Sequence, residues 1–188
     1  MQDAFRSWLL FQWAKLLLFV GFRARAIEAL RTVVQEDPHH VRAWTSLGFL
    51  HAEQGRLREA TQAFDQALAL RTDAPTLFNA GYVLQRAGRH EAAMGHFQRA
   101  IALDANLDRA WYGLGLSLAH EGRHEEAIPK FEEAARLQPF NPYAGYQLAA
   151  AWFKLGRQDK VQSEYVRVKG FDPKVAERIR LDFGAAPV

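Results

Sequence analysis

His120-Glu121-Gly122-Arg123-His124 spells H-E-x-x-H. In zinc proteases that spacing works because one helix puts both imidazoles on one face, with the glutamate beside a metal-bound water. Gly113-Leu114-Gly115 has the spacing that opens a dinucleotide-binding loop, which requires a strand before it. His39-His40 follows the Asp37-Pro38 turn, where imidazoles are solvated. Glu125-Glu126 and Glu132-Glu133 are carboxylate pairs on the outer face of a helix. There is no cysteine, so disulfides, thiolate catalysis and cysteine-ligated zinc are excluded. Whether any of these groups does chemistry depends on the elements that carry them.

Those elements repeat. Gly55-Arg56-Leu57-Arg58-Glu59-Ala60, Gly88-Arg89-His90-Glu91-Ala92-Ala93 and Gly122-Arg123-His124-Glu125-Glu126-Ala127 align without gaps. Each is followed by a phenylalanine (Phe64, Phe97, Phe131), then by an alanine three residues on (Ala67, Ala100, Ala134). Gly21 and Gly156 extend the series at the same spacing. Upstream of three of these glycines stand Trp44-x-x-Leu47-Gly48, Leu77-x-x-Ala80-Gly81 and Trp111-x-x-Leu114-Gly115. Such self-similarity marks stacked helical hairpins.

The pattern resembles the tetratricopeptide repeat, W-x2-L-G-x2-Y, then A-x3-F, then P, over roughly residues 7–175. Pro38, Pro139 and Pro173 fill the closing position, from which Thr72 and Ala105 depart. The resemblance implies an all-α, right-handed solenoid of five helix-turn-helix repeats plus a C-terminal capping helix. The units read as 7–40, 41–73, 74–107, 108–141 and 142–175 within an array over 1–175. A cap at 174–183 and a flexible tail at 184–188 follow.

Gly55 stands just past a first helix, where left-handed backbone costs least for glycine. Gly122 holds the same place, so His120 and His124 fall on different helices and the metalloprotease geometry fails; no metal site or cofactor is expected. Gly115 falls inside a helix with no strand before it, where a small residue allows close approach. Pro75 suits a first helical turn. Pro129 falls inside a second helix, where a bend is expected. The last unit is degenerate: Ala149, Val161 and Tyr165 take the Gly, Ala and Phe positions. Val175 and Ile179 would cover the open end of the array, with Lys174, Glu177, Arg178 and Arg180 in water.

The first helix differs from the others. Trp8 through Val20 is apolar on nearly every side, whereas a soluble solenoid needs a polar outer face. Thirteen residues rise only ~20 Å against a ~30 Å hydrocarbon core, and Lys15 interrupts them, which argues against a span. Ala24-Arg25-Ala26 mimics a signal-peptidase site, but cleavage there would remove in-register Gly21 and Ala26. The favoured reading is a retained helix within 5–22 that docks on a partner, a second copy or a membrane surface through Trp8, Phe11, Lys15, Leu18 and Phe19. A cap buried by its neighbour is the plainer reading.

In this family first helices line the concave side. Positions there are Arg42, Thr45, Ser46 and Phe49; Phe78, Asn79, Tyr82 and Arg86; Arg109, Tyr112, Leu116 and His120; and Tyr143, Tyr146, Gln147, Phe153 and Lys154. Aromatic anchors alternate with donors and include no carboxylate. Such a groove suits a peptide or helix with apolar side chains and some negative charge. Some of these aromatics could instead pack between helices. A carboxylate clamp of the co-chaperone kind does not fit, because only Asn79 and Arg109 match while Thr45, Phe49 and Gly113 fill the other places.

A formal net charge of +3, with no Lys/Arg run, gives no footprint for nucleic acid. With 49% apolar residues the chain can bury a core. No nucleophile–base constellation is visible. The expected function is a non-enzymatic adaptor or scaffold, an assembly factor or accessory subunit of a larger complex. The alternatives are a membrane-peripheral recruitment module and a self-assembling scaffold. The expected location is cytoplasmic, including the peripheral surface of a membrane.

Overall fold

The computed structural model describes residues 2–187, with side chains from Phe5 onward. Met1 and Val188, the outermost residues of the expected array and tail, lie outside the described residues. Those residues form eleven helices and no strand: α1 (Gln2–Phe19), α2 (Arg23–Glu36), α3 (Val41–Glu53), α4 (Leu57–Leu70), α5 (Ala74–Arg86), α6 (His90–Leu103), α7 (Asp108–His120), α8 (His124–Leu137), α9 (Pro142–Lys154), α10 (Gln158–Lys169) and α11 (Pro173–Phe183). They group into two compact units, one ending at Gly88 and one beginning at Arg89.

Helix ends follow the repeat. Gly55 after α3 and Gly122 after α7 take φ of 73° and 74°, in the left-handed region that a side chain disfavours. The backbone then turns directly into the next helix. Asp73, Asn141 and Asp172 open α5, α9 and α11 by accepting from the amides of Thr76, Tyr143 and Val175. Trp44 and Trp111 share a further device. Each indole Nε1 donates at 2.9 Å to a carbonyl six residues back, Pro38 and Ala105 respectively. The indole thus straps its helix to the preceding turn.

In the first unit, Phe11 and Ala14 of α1 pack with Ile27, Leu30, Val33 and Val34 of α2 and Ala43, Leu47 and Leu50 of α3. A second cluster joins Ala52, Ala60 and Phe64 to Ala80 and Val83 of α5. In the second unit α7 is gripped from two sides. A Cβ at Gly113 would lie 2.7 Å from Phe97 of α6, and one at Gly115 would lie 2.6 Å from Phe131 of α8. These glycines therefore let helices approach, as the sequence implies, and no strand precedes them. α8 runs unbroken through Pro129.

The last hairpin is closed by α11. Ile179 and Ala176 are buried against Ala149, Val161, Tyr165 and Val168, with Val175 half-buried beside them. Residues 184–186 are held and do not form the loose tail expected there. Gln158 Nε2 donates to the Phe183 and Gly184 carbonyls, and Gln162 both donates to Ala186 O and accepts from Ala186 N. Ala185 is buried in the same cluster.

Candidate partner-binding surfaces

In the first unit, Thr45, Ser46 and Phe49 of α3 and Asn79 of α5 line one hollow of about 410 Å³ with Leu18, Arg23, Leu50 and Glu53. Phe49 is 54% exposed, which is unusual for a phenylalanine on a packed helix. Its ring stands beside backbone-bonded hydroxyls: Thr45 and Ser46 both donate to the Arg42 carbonyl. The rim holds one ion pair, Arg23 with Glu53 at 3.2 Å. The sequence reading missed Glu53, although the i, i+3, i+7 register that starts at Ser46 and Phe49 reaches it.

Other expected groove residues of this unit are engaged within the fold. Arg86 Nη1 donates at 2.9 Å to the Ala52 carbonyl in the last turn of α3, so Arg86 caps a neighbouring helix. Its guanidinium also lies 5.8 Å from the Tyr82 ring centroid, and Tyr82 stacks on half-buried Phe78. Arg42 lies over the Phe11 ring at 5.4 Å. Of this group, Tyr82 keeps the largest exposed aromatic surface.

In the second unit, Leu116, His120, Gln147 and Lys154 meet around a hollow of about 280 Å³ with Ala119, His124, Ala150 and Ala151. Its floor is apolar and its rim carries donors. Arg109 is exposed at the start of α7. Tyr112 packs on Phe131 at 5.8 Å, and burial pushes its phenol above the ordinary range against a hydrogen bond with Gln147. Tyr143 is exposed. Tyr146 and Phe153 are claimed by the cap. The Tyr146 hydroxyl donates to Asp182 at 2.7 Å, Arg178 lies over its ring, and Phe183 packs against both aromatics. The bond to Asp182, with burial, holds the Tyr146 phenol above its usual value. Both residues pack on the cap, and Phe153 keeps 44% of its surface exposed.

His120 ends α7 and His124 begins α8, with Gly122 at φ 74° between them. Both rings therefore cannot share one helical face. His120 stacks on His90 instead, with ring centroids 3.7 Å apart. No group of three His, Cys, Asp or Glu among the described residues is arranged to hold a metal. Burial, then the His120 charge, depress the His90 pKa below 6.5, against the raising effect of Glu121. A depressed folded pKa means that the unfolded chain binds the proton more readily. The associated stability is complete above 6.5 and is lost as pH falls toward the depressed value. The melting temperature is expected to drop as pH falls below about 6.5, and His90→Gln should make that drop shallower. Identical slopes in the two proteins would remove His90 as the cause.

α1 carries the second candidate surface, and here the structure corrects two positions. Phe11 is only 4% exposed and belongs to the core. Leu18 is half-buried and lines the Phe49 hollow. Trp8, Lys15 and Phe19 face solvent, and Phe19 is 88% exposed. Phe5, Leu9, Trp13, Leu16 and Val20 join them, although the sequence reading did not select them. No helix among the described residues is long and apolar enough to cross a membrane.

The tetratricopeptide repeat family model matches residues 11–75 and 78–142. No curated protein matches the chain. Several solved structures share the fold. YrrB, described as a TPR protein with an unusual peptide-binding site, is 22% identical over 92% of this chain and 90% of its own, with a TM-score of 0.82. A MamA structure is 23% identical over 97% of both chains, with a TM-score of 0.84. PilW, described as a widely conserved type IV pilus biogenesis factor, is 20% identical over 96% of this chain and 87% of its own, with a TM-score of 0.77. The repeated glycine turns, the buried Phe64, Phe97 and Phe131, and a family match across most of the length lead to one assignment: this chain belongs to the tetratricopeptide repeat family.

Proposed function

We propose that this chain is a non-enzymatic adaptor that holds a peptide or helix of a partner protein, as an assembly factor or accessory subunit of a larger complex. The observation that carries the reading is the Phe49 hollow. The exposed Phe49 ring of α3, the Asn79 amide of α5 and the Arg23–Glu53 pair converge there, an arrangement fitted to an apolar anchor flanked by backbone hydrogen bonds. The Leu116–Lys154 hollow offers the second unit's counterpart, with Lys154 and His120 on its rim for acidic groups. The family's fold in general serves protein interaction. The peptide-binding description of YrrB and the biogenesis role printed for PilW support the same direction, for proteins alike in fold.

α1 adds a second docking surface through Trp8, Lys15 and Phe19 with their exposed neighbours, which suits a protein of the cytoplasm or of the periphery of a membrane. Affinity purification of the full chain with mass spectrometry tests the groove. Phe49→Ala with Asn79→Ala should reduce recovery of a wild-type partner by roughly tenfold or more, the scale of one or two interface anchors. Unchanged recovery of every partner would sink the groove reading. The same measurement on W8Q/W13Q/F19Q examines docking by α1 independently.

A further inference from the structure

At about 100° per residue, the exposed side chains of α1 fall on one continuous arc. Around the axis it runs Trp8, Phe19, Phe5, Leu16, Leu9 and Trp13, interrupted only by Gln12, and exposed Val20 follows just past the helix end. Lys15 stands at one edge and Arg6 at the other. The opposite side, with Ser7, Phe11, Ala14 and Leu17, is buried in the first unit. The arc spans roughly 140° of the circumference, wider than the a/d seam through which one helix meets another. It suits a broad apolar medium better than a single helical partner.

Composition and charge name the medium. Phe5, Trp8, Trp13 and Phe19 are aromatic, and Phe22 extends the exposed set past the Gly21 turn. Rings of this kind favour the zone between lipid headgroups and acyl chains. From Ala4 to Ile27 the chain carries Arg6, Lys15, Arg23 and Arg25 and no carboxylate. Arg6 and Arg23 lean on Glu36 and Glu53. The contacts described for Lys15 and Arg25 involve Gln12 and the Phe22 ring, with no carboxylate. Phe11, Ala14 and Leu17 anchor the helix to its own protein, so it can enter a bilayer surface only lying flat.

We infer that the exposed arc of α1 seats in the plane of an anionic bilayer, with its aromatic rings at the acyl boundary and Lys15 and Arg25 against lipid phosphates. This rests on the docking role given to α1 above and commits it to lipid.

Flotation of the full chain with phosphatidylcholine vesicles, alone or mixed with phosphatidylglycerol, tests it. Binding to the anionic vesicles is expected, weakened by high salt. W8Q/W13Q/F19Q should float roughly tenfold less or worse while melting like the parent, because those side chains are exposed. K15E/R25E should lose the preference for phosphatidylglycerol. Failure of the parent chain to float, or equal flotation of W8Q/W13Q/F19Q, overturns the proposal. If the parent fails to float and light scattering shows a dimer that W8Q/W13Q/F19Q converts to monomer, the occupant is a second copy: lipid is rejected and docking by α1 stands. Absence of both flotation and dimer rejects lipid, and the partner-recovery comparison then decides whether α1 docks at all.

Discussion

Replacing Phe131 with alanine is expected to lower stability by about 3–5 kcal/mol, the cost of deleting a fully buried aromatic ring. Phe131 is 0% exposed. It fills the space left by Gly115 and meets Tyr112 at a centroid distance of 5.8 Å. Collapse around the void is limited because α7 is also pressed against Phe97 through Gly113. For a chain of this size each kcal/mol moves the melting temperature by roughly 2–4 °C, so thermal unfolding by circular dichroism should fall by on the order of 10 °C. Because repeat proteins store stability in neighbouring units, hydrogen exchange should show the loss concentrated in α7 and α8. A change under about 1 kcal/mol would mean the ring is not packed as described.

The second large effect comes from filling the space that Phe131 uses. Gly115→Ala would put a Cβ 2.6 Å from Phe131 Cε1, closer than real side chains approach. The ring or the helix must shift, at about 1–3 kcal/mol. In a Phe131→Leu background the clash disappears, so Gly115→Ala should cost much less there. A double-mutant cycle should therefore report strong coupling between the two positions. Gly95 is the control: it is helical and exposed, and a Cβ added there would meet nothing within 4 Å. Gly95→Ala should stabilise by up to about 1 kcal/mol. Additive behaviour of Gly115→Ala and Phe131→Leu would contradict close packing between them.

The same residues show what is legible in the chain. Phe64, Phe97 and Phe131 recur in register, and all three are fully buried, because a stacked hairpin imposes the same core position each time. Gly55 and Gly122 are legible as turns for the same reason. Side chains whose partners fall outside the repeat are not. Arg86 reaches the Ala52 carbonyl 34 residues back, and Tyr146 reaches Asp182 36 residues ahead. Nothing local distinguishes such a donor from one waiting for a ligand. Phe153 is likewise taken by Phe183 of α11, a helix that follows no repeat pattern. Sequence alone puts Phe11 on the outer surface because a helix apolar on every side has no periodicity to separate in from out. The position of α2 and α3 decides it, burying Phe11 while leaving Trp13 exposed.

The two indole straps have a practical corollary. Trp44 is tied to the turn before α3, and Trp111 to the turn before α7. Each chromophore is thereby coupled to one helical junction, in a different compact unit. With the other three tryptophans replaced by phenylalanine, ultraviolet emission from these two rings would follow the two junctions as they come apart. Protein carrying only one of them would report a single junction. The order in which the units fray could then be read without attaching any dye.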